Sequence, residues 1–232
     1  MKTHYMGAGL LVMVIIALVC AGCTSQPAAT PTGSSVQETQ QQAAAAGTTS
    51  SAASSQEVGS TVSSKSIFGS AYTWMEYRTT SSYNGNQMTT DTKTERSTGD
   101  YKGTPAVHLK MTTTSSGGMT SVYDIYYDTA MKSVLGGTMT MTVNGQTTTQ
   151  DVPASQLQSQ QGGNFNSDYS MTFAGIEPVT VPAGTYAAAS KYTASRNNVD
   201  MTYWAASGVP VPVKYMSASS QGSSTAELVG WG

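Results

Sequence analysis

The strongest constraint on the fold is a period of two. From about residue 70 onward Thr, Val, Tyr and Met alternate with polar residues in short runs separated by Gly and Asn, as in "VHLKM" over 107–111 and "TMTMTV" over 138–143. Successive side chains of a strand point to opposite faces, so such runs give an extended chain one apolar and one polar side. They predict strands over 70–80, 86–97, 105–115, 119–128, 137–145, 146–152, 178–184, 185–195, 199–206, 210–218 and 224–231. Asn84-Gly85 and Asn144-Gly145 supply the positive φ of tight hairpin turns, and Gly117-Gly118 does so less specifically. The pattern describes an antiparallel meander.

Alternation also assigns the faces. Val107, Leu109 and Met111 share one side of their strand while His108 and Lys110 take the other. Tyr123, Ile125 and Tyr127 oppose Asp124, Tyr126 and Asp128, and Met139, Met141 and Val143 oppose a threonine row. The inner face is therefore apolar and rich in Met and Tyr. The strand at 86–97 is polar on both sides apart from Met88, which predicts exposure or a place near a sheet edge. Tyr203 and Trp204 point to opposite faces, so only one is expected inside. Pro182 and Gly184 bend the chain between strands; Pro210 and Pro212 lack an amide hydrogen and belong at an edge or bulge, with Lys214 on the outer side. "PASQLQSQQ" over 153–161 invites a short helix, with Pro153 in its first turn and Leu157 its only strong apolar residue. The loop behind it, to Asp168, is the longest interruption of the meander and a candidate lid.

The other end of the chain has a different character. The apolar run Leu10–Val19 is about half the length that spans a bilayer core, and with Lys2 and His4 before it, it reads as a secretory signal over 1–22. Small residues precede Cys23 and resemble the lipobox of bacterial and archaeal lipoproteins. The resemblance implies lipid on the Cys23 thiol and a location on the outer face of the cytoplasmic membrane. Cys20 is a competing acceptor, although the β-branched Val19 precedes it, and an ordinary cleaved signal is the other alternative. Residues 24–66 are almost entirely Ser, Thr, Ala, Gln, Gly and Pro, too little apolar surface to offset chain entropy. They are expected to form a disordered tether, part of a lipid-anchored segment over 23–66, which holds the domain about 35–40 Å from its lipid. One domain over 67–232 remains, without cysteine.

Charged residues make up only 10% of the chain and the net charge is −2, which leaves no basic footprint for nucleic acid. His108 with Asp124 or Asp128 could furnish two members of a Ser-His-Asp set. No nucleophile-elbow motif frames a serine, so an exposed strand histidine is expected and no enzyme. Asp124, Asp128, Asp151 and Glu177 lack the spacing of a calcium loop, and neither cofactor nor metal is expected. Asp91, Lys93, Glu95 and Arg96 read as a solubilising face.

The stretches "VTVPAGTYAAASKY" (179–192), "VDMTYWAASGVPVPVKYM" (199–216) and "AELVGW" (226–231) resemble the end of lipoprotein-carrier half-barrels of the LolA and LppX type. They are also similar to uncharacterised lipoproteins of methanogenic archaea. The resemblance covers about 55 residues. It implies an open, strongly curved half-barrel of about eleven strands, with a helix or loop over its mouth and a concave face that accepts acyl chains. This chain departs from that pattern in lacking strong amphipathic helices. The expected function is a lipid-anchored surface binding protein that takes an apolar ligand on Met111, Tyr123, Ile125, Tyr127, Met139, Met141 and Tyr203. The alternative is a non-catalytic structural or adhesive envelope protein, in which Met and Tyr simply fill a core. Ligand, partner proteins and oligomeric state stay open.

Overall fold

The computed structural model describes residues 56–68, 72–160 and 169–232. The expected signal, Cys23 and most of the expected tether lie outside these residues, as does the loop over 161–168.

Among the described residues twelve strands form one antiparallel sheet. They are β1 (Thr61–Ser63), β2 (Trp74–Tyr83), β3 (Asn86–Tyr101), β4 (Thr104–Ser115), β5 (Thr120–Asp128), β6 (Val134–Val143), β7 (Gln146–Val152), β8 (Ser170–Val181), β9 (Gly184–Arg196), β10 (Val199–Ala205), β11 (Lys214–Ser219) and β12 (Gly222–Trp231). The helices among the described residues are short: α1 (Ser64–Ile67) and α2 (Ala154–Gln160). The spatial order is β1-β8-β9-β10-β11-β12-β2-β3-β4-β5-β6-β7. Two meanders, β2–β7 and β8–β12, are thus fused where the last strand pairs with β2, and the sheet stays open.

Local chemistry explains the connections. Asn84 (φ 49°) with Gly85 (φ 78°) and Asn144 (φ 51°) with Gly145 (φ 78°) make two-residue turns whose positive φ values match the twist of the flanking strands. Lys102-Gly103 and Asn197-Asn198 do the same between β3 and β4 and between β9 and β10, from less specific dipeptides. β8 carries two register shifts against β9, and β12 carries one against β2. Bulges of this kind increase local twist and bend a sheet. The bend is large, because the Ala183 amide at the β8–β9 turn donates to the Leu228 carbonyl of β12 at 2.9 Å, although four strand spacings separate β8 from β12. A flat sheet would hold those strands about 19 Å apart.

Three expectations need correction. Residues 59–64, expected to belong to a disordered segment, are built into the fold: β1 pairs with Ser170–Thr172, Gly59 donates to the Phe173 carbonyl, and Ser64 is buried. β3 is not at an edge but lies between β2 and β4: Asp91 pairs with Arg78 of β2 and Thr92 with Thr113 of β4, while Lys93 pairs with Glu95 along β3 itself. Residues 210–213 are not strand. They belong to a wide connection that folds Val211 and Val213 into the core, where the Pro212 carbonyl accepts the Tyr77 hydroxyl.

Three apolar clusters stabilise the sheet. The largest joins Met75, Tyr77, Val179, Val181, Ala189, Trp204, Val213, Ala226 and Leu228 within the curled half. A second lies under α2, with Leu157 packed against Val107, Tyr127, Val134 and Val152. The third groups Met171, Phe173, Tyr192 and Tyr203, and Ile67 and Phe68 from α1 and its C-terminal end pack onto it.

Candidate functional site

Strand register defines the inner face. Met111 opposes Tyr123, which opposes Met139; Leu109 opposes Ile125; Val107 opposes Tyr127; Met141 sits two residues beyond Met139. Six of the seven expected ligand residues are therefore neighbours on β4, β5 and β6. Their environments differ along the strands. Toward α2, Tyr127 is only 3% exposed and Ile125 packs partly buried beside it, so these two belong to a core. Away from α2, Met111, Tyr123, Met139 and Met141 are half-buried, and none is a member of a buried cluster, although Met139 touches one. The partial shielding of Tyr123 pushes its phenol above its ordinary range. These four side chains form an apolar strip that is neither solvent-facing in full nor packed.

Tyr203 stands apart. It shares the inner face, since Tyr203 opposes Tyr215, Tyr215 opposes Ala226, Ala226 opposes Thr79 and Thr79 opposes Thr90. Five strand spacings nevertheless separate it from β4. It is 7% exposed among Phe68, Tyr169 and Tyr215, with ring centroids 5.8, 5.9 and 6.2 Å away. Burial raises its phenol, with the Tyr169 hydroxyl adding to the effect, and burial pushes Tyr215 up to about 12. A tyrosine proton held more tightly in the folded than in the unfolded chain stabilises the fold below the unfolded value near 10, and that stability is lost as pH rises toward the folded value. Stability to urea is therefore expected to stay level to about pH 9.5 and to fall between about 10 and 12. Tyr215→Phe is expected to make that fall shallower, as equilibrium unfolding followed by circular dichroism across the pH series will read.

The outer face is organised by charge. Lys191 on β9, Trp204 on β10, Lys214 on β11, Glu227 on β12, Arg78 on β2 and Asp91 on β3 form one row across six strands, and Glu177 on β8, which opposes Ala189, joins its end diagonally. Lys191 lies 3.3 Å from Glu177, Lys214 lies 3.0 Å from Glu227, and Arg78 engages Asp91 through Nε at 2.8 Å and Nη2 at 3.3 Å. Trp204 completes the row. Its Nε1–H donates to Glu177 at 2.6 Å, and Lys191 and Lys214 lie 5.4 and 5.9 Å from the indole centroid. The Trp204 hydrogen bond, then Lys191, holds the Glu177 carboxyl below its usual range. Tyr203 and Trp204 point to opposite faces, as expected, yet both are buried, the tyrosine by aromatic neighbours and the tryptophan by the largest apolar cluster with Lys191 and Lys214 beside its ring.

His108 is also less exposed than expected. Its Nε2 lies 2.8 Å from Asp124 Oδ1, its ring stacks on Tyr126 at 4.6 Å, and Tyr101 packs against Tyr126 at 4.9 Å. The remaining acidic residues disperse. Asp128 accepts from the Lys132 and Ser133 amides in a turn, Asp151 lies on β7, and Glu177 is across the sheet. Among the described residues no three His, Cys, Asp or Glu side chains converge in a way that could hold a metal. An open polar depression lies elsewhere, between the β2–β3 and β11–β12 turns, lined by Ser82, Asn84, Ser219 and Gln221 among others.

No protein-family model matches the chain, and no curated protein does. Among solved structures the chain is similar to the crystal structure of a DUF1329 family protein from Desulfovibrio piger, with 6% identity and a TM-score of 0.32 over 71% of this chain and 86% of that one. A likeness at that level assigns neither family nor activity, and the reading of function rests on the side chains above.

Proposed function

We propose that this protein is a lipid-anchored binding protein of the cell surface that accepts an apolar chain, such as a lipid acyl group, along the inner face of its open sheet. One observation carries the reading: Met111, Tyr123, Met139 and Met141 lie side by side on that face without a packed cover among the described residues, while the same strands are sealed a few residues away by α2. Soft thioethers beside a phenol suit an occupant of variable shape. Cys23 supplies the anchor. A non-catalytic envelope component is the second reading, favoured by the packed cluster that already takes Tyr127 and touches Ile125 and Met139 of the same face.

The test is mass spectrometry of lipid extracted from protein purified under mild detergent, for the parent and for Tyr123→Lys and Met139→Lys. The parent is expected to carry lipid and each variant to lose most of it, with unchanged circular dichroism. A parent free of lipid, whose melting temperature does not move on addition of phospholipid, refutes the ligand reading and favours the envelope role. Cys23→Ser is expected to shift the protein from the membrane pellet to the soluble fraction; retention in the pellet refutes the anchor.

A further inference from the structure

The two edges of the sheet are built differently. At one edge β8 is capped by β1 over Ser170–Thr172, and its remainder is disrupted by two register shifts and by Pro178, which cannot donate a hydrogen bond. These are recognised ways of preventing strand addition. At the other edge β7 has none of them. Gln146–Asp151 is an exposed, regular strand paired residue for residue with β6, without bulge, proline or lysine, and with a single charge at its far end. Nothing among the described residues pairs with its outer side.

The sequence of that edge reads the same in both directions, Gln146-Thr147-Thr148-Thr149-Gln150. We propose that β7 pairs antiparallel with β7 of a second copy of this chain about a two-fold axis at Thr148, joining two sheets edge to edge. Backbone geometry fits this register. The two-residue turn Asn144-Gly145 makes Val143 and Gln146 a hydrogen-bonded pair, so alternation makes Met141 and Thr148 the next one. The amides and carbonyls of Thr147 and Thr149 therefore point away from β6. Centring the dimer on Thr148 sets Thr147 against Thr149 of the partner copy, with both outward pairs of groups in place to bond. The side chains match as well, Gln against Gln and Thr against Thr. Thr142–Thr147 and Thr140–Thr149 already bond hydroxyl to hydroxyl at 2.9 Å within the chain, so the dimer extends threonine rows across the seam. The two Asp151 carboxylates fall at opposite ends of the seam, where they do not repel.

Thr148 faces its own copy as a non-hydrogen-bonded pair, with about 4.5 Å between Cα atoms, within disulfide reach. In full-length chain carrying Cys20→Ser and Cys23→Ser, Thr148→Cys is expected to form a disulfide dimer under mild oxidation. Gln150→Cys alone is not, because residue 150 faces Gln146 of the partner copy; a mixture of Gln146→Cys and Gln150→Cys chains is expected to crosslink. Sedimentation of the full chain is expected to give twice the single-chain mass, and Thr148→Lys, which sets like charges opposite each other at an exposed site, to weaken the dimer at least about tenfold without changing circular dichroism. A single-chain mass at every concentration, a dimer indifferent to Thr148→Lys, or equal crosslinking of the Thr148→Cys and Gln150→Cys chains overturns the proposal.

Discussion

Leu228→Ala is expected to destabilise the domain by about 4 kcal/mol, toward the upper part of the range for buried leucine truncation. Leu228 has no solvent exposure and sits at the one place where the two meanders meet. On its inner side it joins the cluster with Tyr77, Val179, Val181 and Val213. Its backbone accepts from the Ala183 amide and donates to the Val213 carbonyl. These bonds hold the β8–β9 turn and the proline-rich connection in place, so the surroundings cannot collapse into the vacated space without giving them up. Cavities that cannot close cost most. Urea unfolding of the domain reads the change as a lower midpoint at constant slope. Ile176→Ala is the control: Ile176 is 64% exposed, and its truncation is expected to change stability by no more than about 0.5 kcal/mol.

The same region shows what was and was not legible in the chain. Periodicity located the strands of the first meander to within a few residues, because each is bounded by a turn dipeptide and alternates without interruption. The fold class followed from that. The start of β8, "SMTFAGIE" over 170–177, escaped notice because Gly175 and two register shifts interrupt the alternation there. β1 escaped because Thr61–Ser63 has the composition of the segment before it; only its place beside Ser170–Thr172 makes it a strand. "GVPVPV" over 208–213 alternates like a strand yet is a connection, since neither proline can donate to a ladder.

Face assignment was legible where one side is apolar and failed where both are covered. Six ligand candidates fell together on β4–β6 because their parity is unbroken. Which of them would be sealed depended on α2, signalled only by Pro153 and Leu157. Trp204 and His108 are more buried than parity alone implies. Parity puts them on the outer face, but their exposure is set by neighbours distant in sequence: the largest apolar cluster, Lys191 and Lys214 around the indole, Tyr126 over the imidazole. The β3 strand misled in the opposite sense, since polar residues on both faces normally mean an edge. Here Arg78 and Thr113 give Asp91 and Thr92 cross-strand partners and Lys93 pairs with Glu95 along the strand, and a polar strand becomes acceptable in mid-sheet.

Gly137→Ala is expected to cost about 3 kcal/mol, although the added group is a single methyl. A glycine's usual role in this chain is conformational: Gly145 takes φ 78° with open space around it, and its cost on substitution is strain alone, about 1 kcal/mol. Gly137 is not at positive φ. Its constraint is proximity, since a β-carbon there would press into the Asp124 carbonyl oxygen and stand 3.2 Å from the Ile125 α-carbon. Both are backbone atoms of β5, held by pairing with β4 on the other side, so no side chain can swing away to make room. The strands must part instead, next to the register shift at Tyr126/Tyr127. Parting them displaces Ile125 and Tyr127 from beneath α2 and tilts Tyr123 against Met139, so the substitution is expected to lower lipid retention as well as the urea midpoint. Addition of phospholipid is expected to recover part of the lost stability, because a ligand bound only by the folded chain shifts the equilibrium toward it. Loss of stability without loss of lipid places the ligand away from the β5–β6 seam, and preserved stability means that the seam is more compliant than its backbone packing implies.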